Sequence, residues 1–457
     1  MSGFRVAVVG SGPSGFYAAT QLLASADPVF SVDLFDRLPT PFGLVRAGVA
    51  PDHPKIKAVT KAFDKTARHE RFRFCGGVEL GSDITREDLR SHYHAVVYAI
   101  GTATDRRMGI AGEDLQGSHA ATEFVAWYNG HPDYHGLEFD LLNARRVAVV
   151  GNGNVAMDVA RMIALAEGEL RVTDTADHAI DVLCEAGVEE VVILGRRGPA
   201  QAAFTNPELR EMGELERADV LVDPADLELD AESQAWLDSE QAHRTNKLNV
   251  EILREFAAQQ PAGKPMRVRF RFLVSPVEVL GDEQGRVRAL KLERNRIEGG
   301  RAKGTGEFEE LECQLVFRSI GYTGQPVADI PFDESRGLIR NDGGRVLDDH
   351  DQVCPGEYVT GWIKRGPSGV IGTNKKDSQD TVTKLIADAR AGKLPQPAHD
   401  DIDALIAQAP HAIDWRGWEC IDAVERDAGQ PHGRPRVKLV KWDDLRDAAK
   451  GGAAVRS

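Results

Sequence analysis

The chain has 457 residues, 42% of them hydrophobic and 28% charged, and a formal net charge of −15. That length predicts two or three domains, the composition is that of a globular protein, and the acidic balance argues against nonspecific nucleic-acid binding. No apolar run approaches a membrane span and the first strand begins near residue 4, leaving no room for a leader, so the cytoplasm is the expected location.

Residues 6–9 are an unbroken apolar run, as in a strand buried on both faces of a parallel sheet. Gly10, Gly12 and Gly15 follow as G-x-G-x-x-G, with Pro13 and Ser14 between them, and residues 16–23 read as a helix. In that order the glycines serve a tight turn, a close approach of backbone to a pyrophosphate, and helix-to-strand packing. The helix start offers unpaired N–H groups to phosphate. A second strand, 31–35, ends on Asp36, where an acid is placed to accept hydrogen bonds from ribose hydroxyls.

Residues 39–54 are rich in Gly and Pro yet apolar, so the loop is expected to pack. Asp52 is the expected cap of a helix over about 55–67, in which Lys57, Lys61 and Lys65 share a face. That face reads either as solvated or as a dock for an acidic partner. Short strands are expected at 72–74 and 78–80, and a buried strand at 95–100 that closes on Gly101-Thr102.

A second nucleotide signature starts with a strand at 146–150. Gly151-Asn152-Gly153-Asn154-Val155-Ala156 follows as G-x-G-x-x-A, and a helix runs from Met157. The next strand, 191–194, ends on Gly195-Arg196-Arg197-Gly198 rather than on an acid. Two guanidiniums suit a 2′-phosphate, which a carboxylate would repel, so this site points to NADP. The stretch 165–187 is long enough for an extra helix or loop. Residues 214–265 read as acidic surface helices, 267–274 and 287–293 as strands of a small sheet, and 314–320 as a buried strand ending at Gly321-Tyr322.

A strand at 357–360 then leads into a second glycine-rich stretch, 361–374, and a helix over about 379–391. The tail beyond Pro395 carries Trp415, Trp418, Ile421 and Trp442, and is expected to fold. The predicted fold class is therefore α/β, with two Rossmann-like, three-layer dinucleotide domains, the second inserted in the first. The expected bounds are 1–106, 107–321 and 322–457. Cys75, Cys184, Cys313, Cys354 and Cys420 are isolated, with no C-x-x-C, so neither a redox disulfide nor a cysteine-bound cluster is encoded and no metal is expected.

Taken together, these motifs resemble the adrenodoxin reductase-like, FAD-containing ferredoxin–NADP reductases over nearly the whole chain. The specific marks are Pro-Phe-Gly-Leu-Val-Arg at 41–46, Gly-Val-Ala-Pro-Asp-His-Pro at 48–54, Gly-Arg-Arg-Gly-Pro at 195–199, Glu-Leu-Arg-Glu at 208–211 and Gly-Trp-Ile-Lys-Arg-Gly-Pro-Ser-Gly-Val-Ile-Gly-Thr-Asn at 361–374, besides the two glycine turns. Asp36 departs from the commoner glutamate. The resemblance implies FAD at Gly10–Gly15, Asp36, Leu44 and Val78, with Trp362 and Gly369-Val370-Ile371 at the flavin ring. It implies NADP at Asn152, Gly153, Asn154, Val155, Arg196, Arg197, Glu208 and Gly369.

The implied activity is electron transfer from NADPH through FAD to a ferredoxin or similar iron–sulfur protein. A flavin-dependent NADPH oxidase or monooxygenase is the alternative, and a non-catalytic nucleotide sensor is a third reading. Hydride transfer needs no acid or base from the protein, but reoxidation releases a proton. His53, Asp158 and Glu211 are the candidates to carry it, against plain structural roles for each. A monomer or weak dimer, with no nucleic-acid or membrane partner, is expected.

Overall fold

A computed structural model of the chain describes residues 3–102, 104–327, 329–369 and 371–451. Val370, expected at the flavin ring, lies outside the described residues. The chain forms two compact units, Met1–Thr104 with Tyr322–Ser457, and Asp105–Gly321.

Among the described residues, the first unit holds five parallel strands in the order Val353–Val359, Ala95–Tyr98, Phe4–Val9, Phe30–Asp36, Phe72–Gly76. A short antiparallel pair, Arg345–Leu347 and Asn341–Asp342, extends one edge. Alternate residues of the first strand serve opposite cores. Val6 and Val8 pack with Phe16, Leu22, Val382 and Leu385, whereas Ala7 and Val9 pack with Leu89, Ile363 and Ile402. Burial on both faces is why this strand is apolar throughout.

The loop after Asp36 is packed, with Pro39, Thr40, Pro41, Phe42, Val45, Ala47, Ala50 and Pro51 all buried. Part of what covers it is the tail. Trp418 and Ile421 of the helix Trp415–Gly429 join the core, and Phe42 meets Trp418 edge-on at 5.7 Å. The fully buried Glu425 of the same helix accepts from Arg46 (2.9 Å) and Arg436 (3.0 Å). Burial would raise the Glu425 pKa, but the two guanidiniums outweigh it and hold the carboxyl below its ordinary range.

The second unit's main sheet is parallel throughout, in the order Ser118–Ala120, Leu315–Arg318, Arg146–Val150, Glu190–Leu194, Met266–Arg271, Ala218–Val222. Helices cover one face. The other is covered by a three-stranded antiparallel sheet, Val274–Gly281, Val287–Glu298 and Arg301–Glu312, whose Val274, Leu290 and Leu292 pack on Ala148, Val150 and Val192.

Several expectations are corrected. The helix expected at 55–67 is two, Pro54–Lys57 and Thr60–Ala67, so Lys57 does not share a helix face with Lys61 and Lys65. His53, not Asp52, is the residue before the first of them, and it makes no capping bond with its side chain. Val78 is not in a strand: its N–H goes back to the Asp36 carbonyl (2.9 Å) and only Leu80 makes an isolated bridge, to Ile84. The 214–265 stretch contains the edge strand Ala218–Val222 as well as helices. Met266–Arg271 joins the main sheet rather than a small one. The helix expected from Gln379 starts at Ile371, eight residues earlier.

Candidate functional site

Each unit carries a strand–turn–helix built around a glycine pair of different character. In the first, Gly10 sits at φ 106° and donates to the Phe35 carbonyl (2.8 Å); a Cβ there would collide with the Ala99 carbonyl. Gly15 is equally hemmed, by the Gly10 carbonyl. Gly12 is not. Its backbone, φ −71° and ψ −177°, suits any residue, and an added Cβ would meet nothing within 4 Å. Neither conformation nor neighbours call for glycine at Gly12, so the open space in front of it is what the glycine keeps free. The second unit repeats the pattern. Gly151 (φ 130°) backs onto the Ser319 carbonyl, while Gly153 (φ −105°, ψ −179°) faces open space.

Pro13 and Ser14 open the helix Pro13–Leu23, which has no side-chain cap and so leaves its first N–H groups to another acceptor. Asp36 holds the turn itself. Its Oδ2 accepts from the Ser11 N–H (2.8 Å) and hydroxyl, and its Oδ1 from the Leu38 N–H (2.9 Å). Burial pushes its pKa up, and the Ser11 and Leu38 bonds pull against that rise. With Oδ2 taken twice, Oδ1 keeps a lone pair for a further donor.

Val78 is buried beside Asp36, and Leu44 is exposed at the start of the short helix Leu44–Ala47. Gly361, at φ 80°, would strike the Ser14 side chain if it carried a Cβ, so the Gly361–Trp362 turn lies against the first nucleotide turn. Gly369 is also left-handed (φ 80°), and Ile371 begins the helix Ile371–Arg390. Among the buried donors of this unit that have no hydrogen-bond partner among the described residues, two belong to these segments: the Trp362 indole Nε1 and the Thr102 hydroxyl. Native chains rarely leave such groups unpaired, so their presence here fits a polar ligand. The strand end Gly101-Thr102 was the sequence signal for Thr102.

In the second unit the Asn152 side-chain Nδ2 is likewise buried without a partner. Asn154 turns instead to the neighbouring segment, its Oδ1 accepting from the Thr205 N–H (2.8 Å), and Val155 is half-buried behind it. The Arg196-Arg197 turn is pinned through its backbone: the Asn295 amide donates to the Arg196 carbonyl (2.9 Å) and the Leu273 N–H to the Arg197 carbonyl (3.2 Å). The antiparallel sheet and the residue leading into it thus fix the backbone of both arginines. Burial, then the charge of Arg196 beside it, lower the Arg197 pKa. An anion between them would relieve that repulsion.

Asp158, Glu208 and Glu211 come together around the buried Arg161, a residue the sequence reading passed over. Asp158 lies 2.7 Å from its guanidinium, Glu208 3.1 Å and Glu211 3.9 Å. A buried guanidinium needs such partners, which gives all three acids a structural task whatever else they do. His53 belongs to the first unit, at the loop end before Pro54–Lys57, and is half-buried. Arg210, Lys247 and Arg254 are exposed on the second unit, with Arg210 4.0 Å from Glu255.

Two largely parallel sheets, each running from strand through glycine turn into helix, define the class of proteins with two dinucleotide folds. Residues 4–198 match the family described as Pyridine nucleotide-disulphide oxidoreductase. The chain is 48% identical over 462 residues to NADPH-ferredoxin reductase FprA of Mycobacterium tuberculosis (strain ATCC 25618 / H37Rv), covering 97% of this chain and 99% of that one. It is 40% identical to the mitochondrial NADPH:adrenodoxin oxidoreductase of Arabidopsis thaliana, over 97% and 95% of the two chains. A solved structure of Mycobacterium tuberculosis FprA in complex with NADPH superposes with a TM-score of 0.91 at 46% identity, over 98% and 100% of the chains.

The chain therefore belongs to the adrenodoxin reductase-like ferredoxin–NADP reductases. All five cysteines are free, and burial pushes the Cys313 thiol up to about 12.

Proposed function

We propose that this chain is an NADPH–ferredoxin oxidoreductase that works through bound FAD. The observation that carries this reading is the end-to-end likeness to reductases named for that reaction, in a chain whose two nucleotide turns each keep one glycine open. FAD supplies the step a protein side chain cannot, taking a two-electron hydride and giving electrons singly.

The first unit holds FAD. Gly10, Gly12, Pro13, Ser14 and Gly15 cradle its pyrophosphate, Asp36 takes a ribose hydroxyl on a spare lone pair, and Leu44 and Val78 flank it. Trp362, Gly369 and Ile371 stand at the flavin ring, with the Trp362 indole N–H and the Thr102 hydroxyl free to donate. The second unit holds NADP. Asn152, Gly153, Asn154 and Val155 form its turn and Arg196 and Arg197 clamp the 2′-phosphate. Glu208 acts there through Arg161. His53, Asp158 and Glu211 are the groups put forward to pass the proton; the imidazole of His53 can take it on one ring nitrogen and give it from the other.

The partner is an iron–sulfur protein, and a ferredoxin of the same cell is the member proposed, met by a monomer or weak dimer in the cytoplasm. No described helix is long and apolar enough to cross a membrane. Ferredoxins are usually acidic and this chain carries −15, so a local basic patch must oppose global repulsion. With ferredoxin as acceptor, kcat/KM is expected to fall as the Debye length shrinks below about 8 Å. Rates with a small neutral acceptor should change far less. Ferredoxin should also outpace oxygen as acceptor at every salt concentration. Faster turnover with oxygen would favour the oxidase alternative, and equal salt sensitivity for both acceptors would remove the electrostatic dock.

A further inference from the structure

The second glycine-rich stretch is held from behind by one carboxylate. Asp377 Oδ2 accepts from the Gly361 N–H (2.6 Å) and the Thr360 hydroxyl (3.0 Å), and its Oδ1 accepts from the Lys364 ammonium (2.8 Å). The Lys364 and Asp377 side chains are 11% and 10% exposed. Lys364 also donates to the Thr381 hydroxyl (3.0 Å). The next residue, Ser378, is fully buried and donates to the Ser14 carbonyl (3.0 Å). One turn of the helix Ile371–Arg390 therefore fastens Thr360–Lys364 to the start of the helix Pro13–Leu23.

Gly361 stays left-handed under this tether, and Trp362 follows with its indole 5.3 Å from the Tyr322 ring. We propose that Asp377 is a positioning residue that holds the Gly361–Trp362 turn in register with the first nucleotide turn, and so sets the surroundings of the flavin ring. This rests on the FAD reading above. A carboxylate is required because three donors converge on it. An asparagine would offer one oxygen, and its amide N–H would face either the Gly361 N–H or the Lys364 ammonium, donor against donor. Freed of that anchor, the turn shifts and carries Trp362 with it.

The test compares holoprotein of wild type, Asp377→Asn and Asp388→Asn by FAD dissociation constant, visible flavin absorption band and melting temperature. Asp388 lies on the same helix but binds Arg345 (2.7 and 3.0 Å) and Tyr358 (2.9 Å), at the end away from Ser378. Both variants should melt earlier. Only Asp377→Asn should raise the FAD dissociation constant, by ~10-fold or more for a lost charged hydrogen bond, and shift the flavin band. A wild-type band and affinity in Asp377→Asn, or equal shifts in Asp388→Asn, would overturn the proposal. Should Asp377→Asn not fold, Lys364→Met decides, since it removes one donor and leaves the Gly361 bond. A band shift with a smaller loss of affinity supports the role, and an unchanged band overturns it. Wild-type protein that takes up no FAD would overturn the reductase reading, and the role of Asp377 with it.

Discussion

Gly12→Val is expected to yield a folded, soluble and colourless protein. The backbone at Gly12 is extended, a conformation β-branched residues favour, and the new side chain meets no neighbour within 4 Å at its Cβ. The fold therefore has no reason to reject valine. The space the side chain enters is the space assigned to the FAD pyrophosphate, next to helix N–H groups that no side chain caps. Sterics and lost phosphate bonds act together, so flavin binding should be lost outright. Flavin-to-protein absorbance ratio and far-UV circular dichroism check this. A yellow, fully loaded variant would mean that the turn is only structural. Substitution at Gly10 would not make the same test, because a Cβ there breaks the turn itself against the Ala99 carbonyl.

The second large effect is on nucleotide choice. Arg196→Ala with Arg197→Ala should abolish most of the preference for NADPH over NADH. A charge-assisted bond to phosphate is worth about 1.5–3 kcal/mol, so two are worth at least ~3 kcal/mol, or roughly 100-fold in kcat/KM. Activity with NADH should hardly move, since its ribose offers no phosphate to lose. An unchanged ratio of kcat/KM for the two nucleotides would sink the assignment.

The parts of the fold legible in the sequence are those buried on both faces. Val6–Val9, Val147–Val150 and Val191–Leu194 are all core, and an apolar run is the direct imprint of that burial. The strands missed are held by distant partners instead. Ala218–Val222 contains Asp219, which made the stretch look like acidic surface; in the fold that carboxylate accepts from the N–H groups of Ala262, Gly263 and Lys264 and ties down a loop. Arg301–Glu312 is an exposed sheet edge with no apolar alternation to announce it, and it exists through pairing with Val287–Glu298.

A similar limit applies to the site. Glycine spacing is local, so both turns could be read along the chain, but which glycine is forced by neighbours and which faces open space depends on tertiary surroundings. Arg161 gathers three acids drawn from two helices, and Asp377 reaches back 16 residues to Gly361. No short motif marks either one.

The most direct measurement of the central claim is an anaerobic titration of the flavin-loaded protein with NADPH, followed by oxidised ferredoxin, read at the visible flavin band. NADPH should bleach the band at about one equivalent, because hydride carries both electrons. Ferredoxin, accepting electrons singly, should restore it at about two equivalents. A band that NADPH leaves unchanged, or that only oxygen restores, would contradict the account.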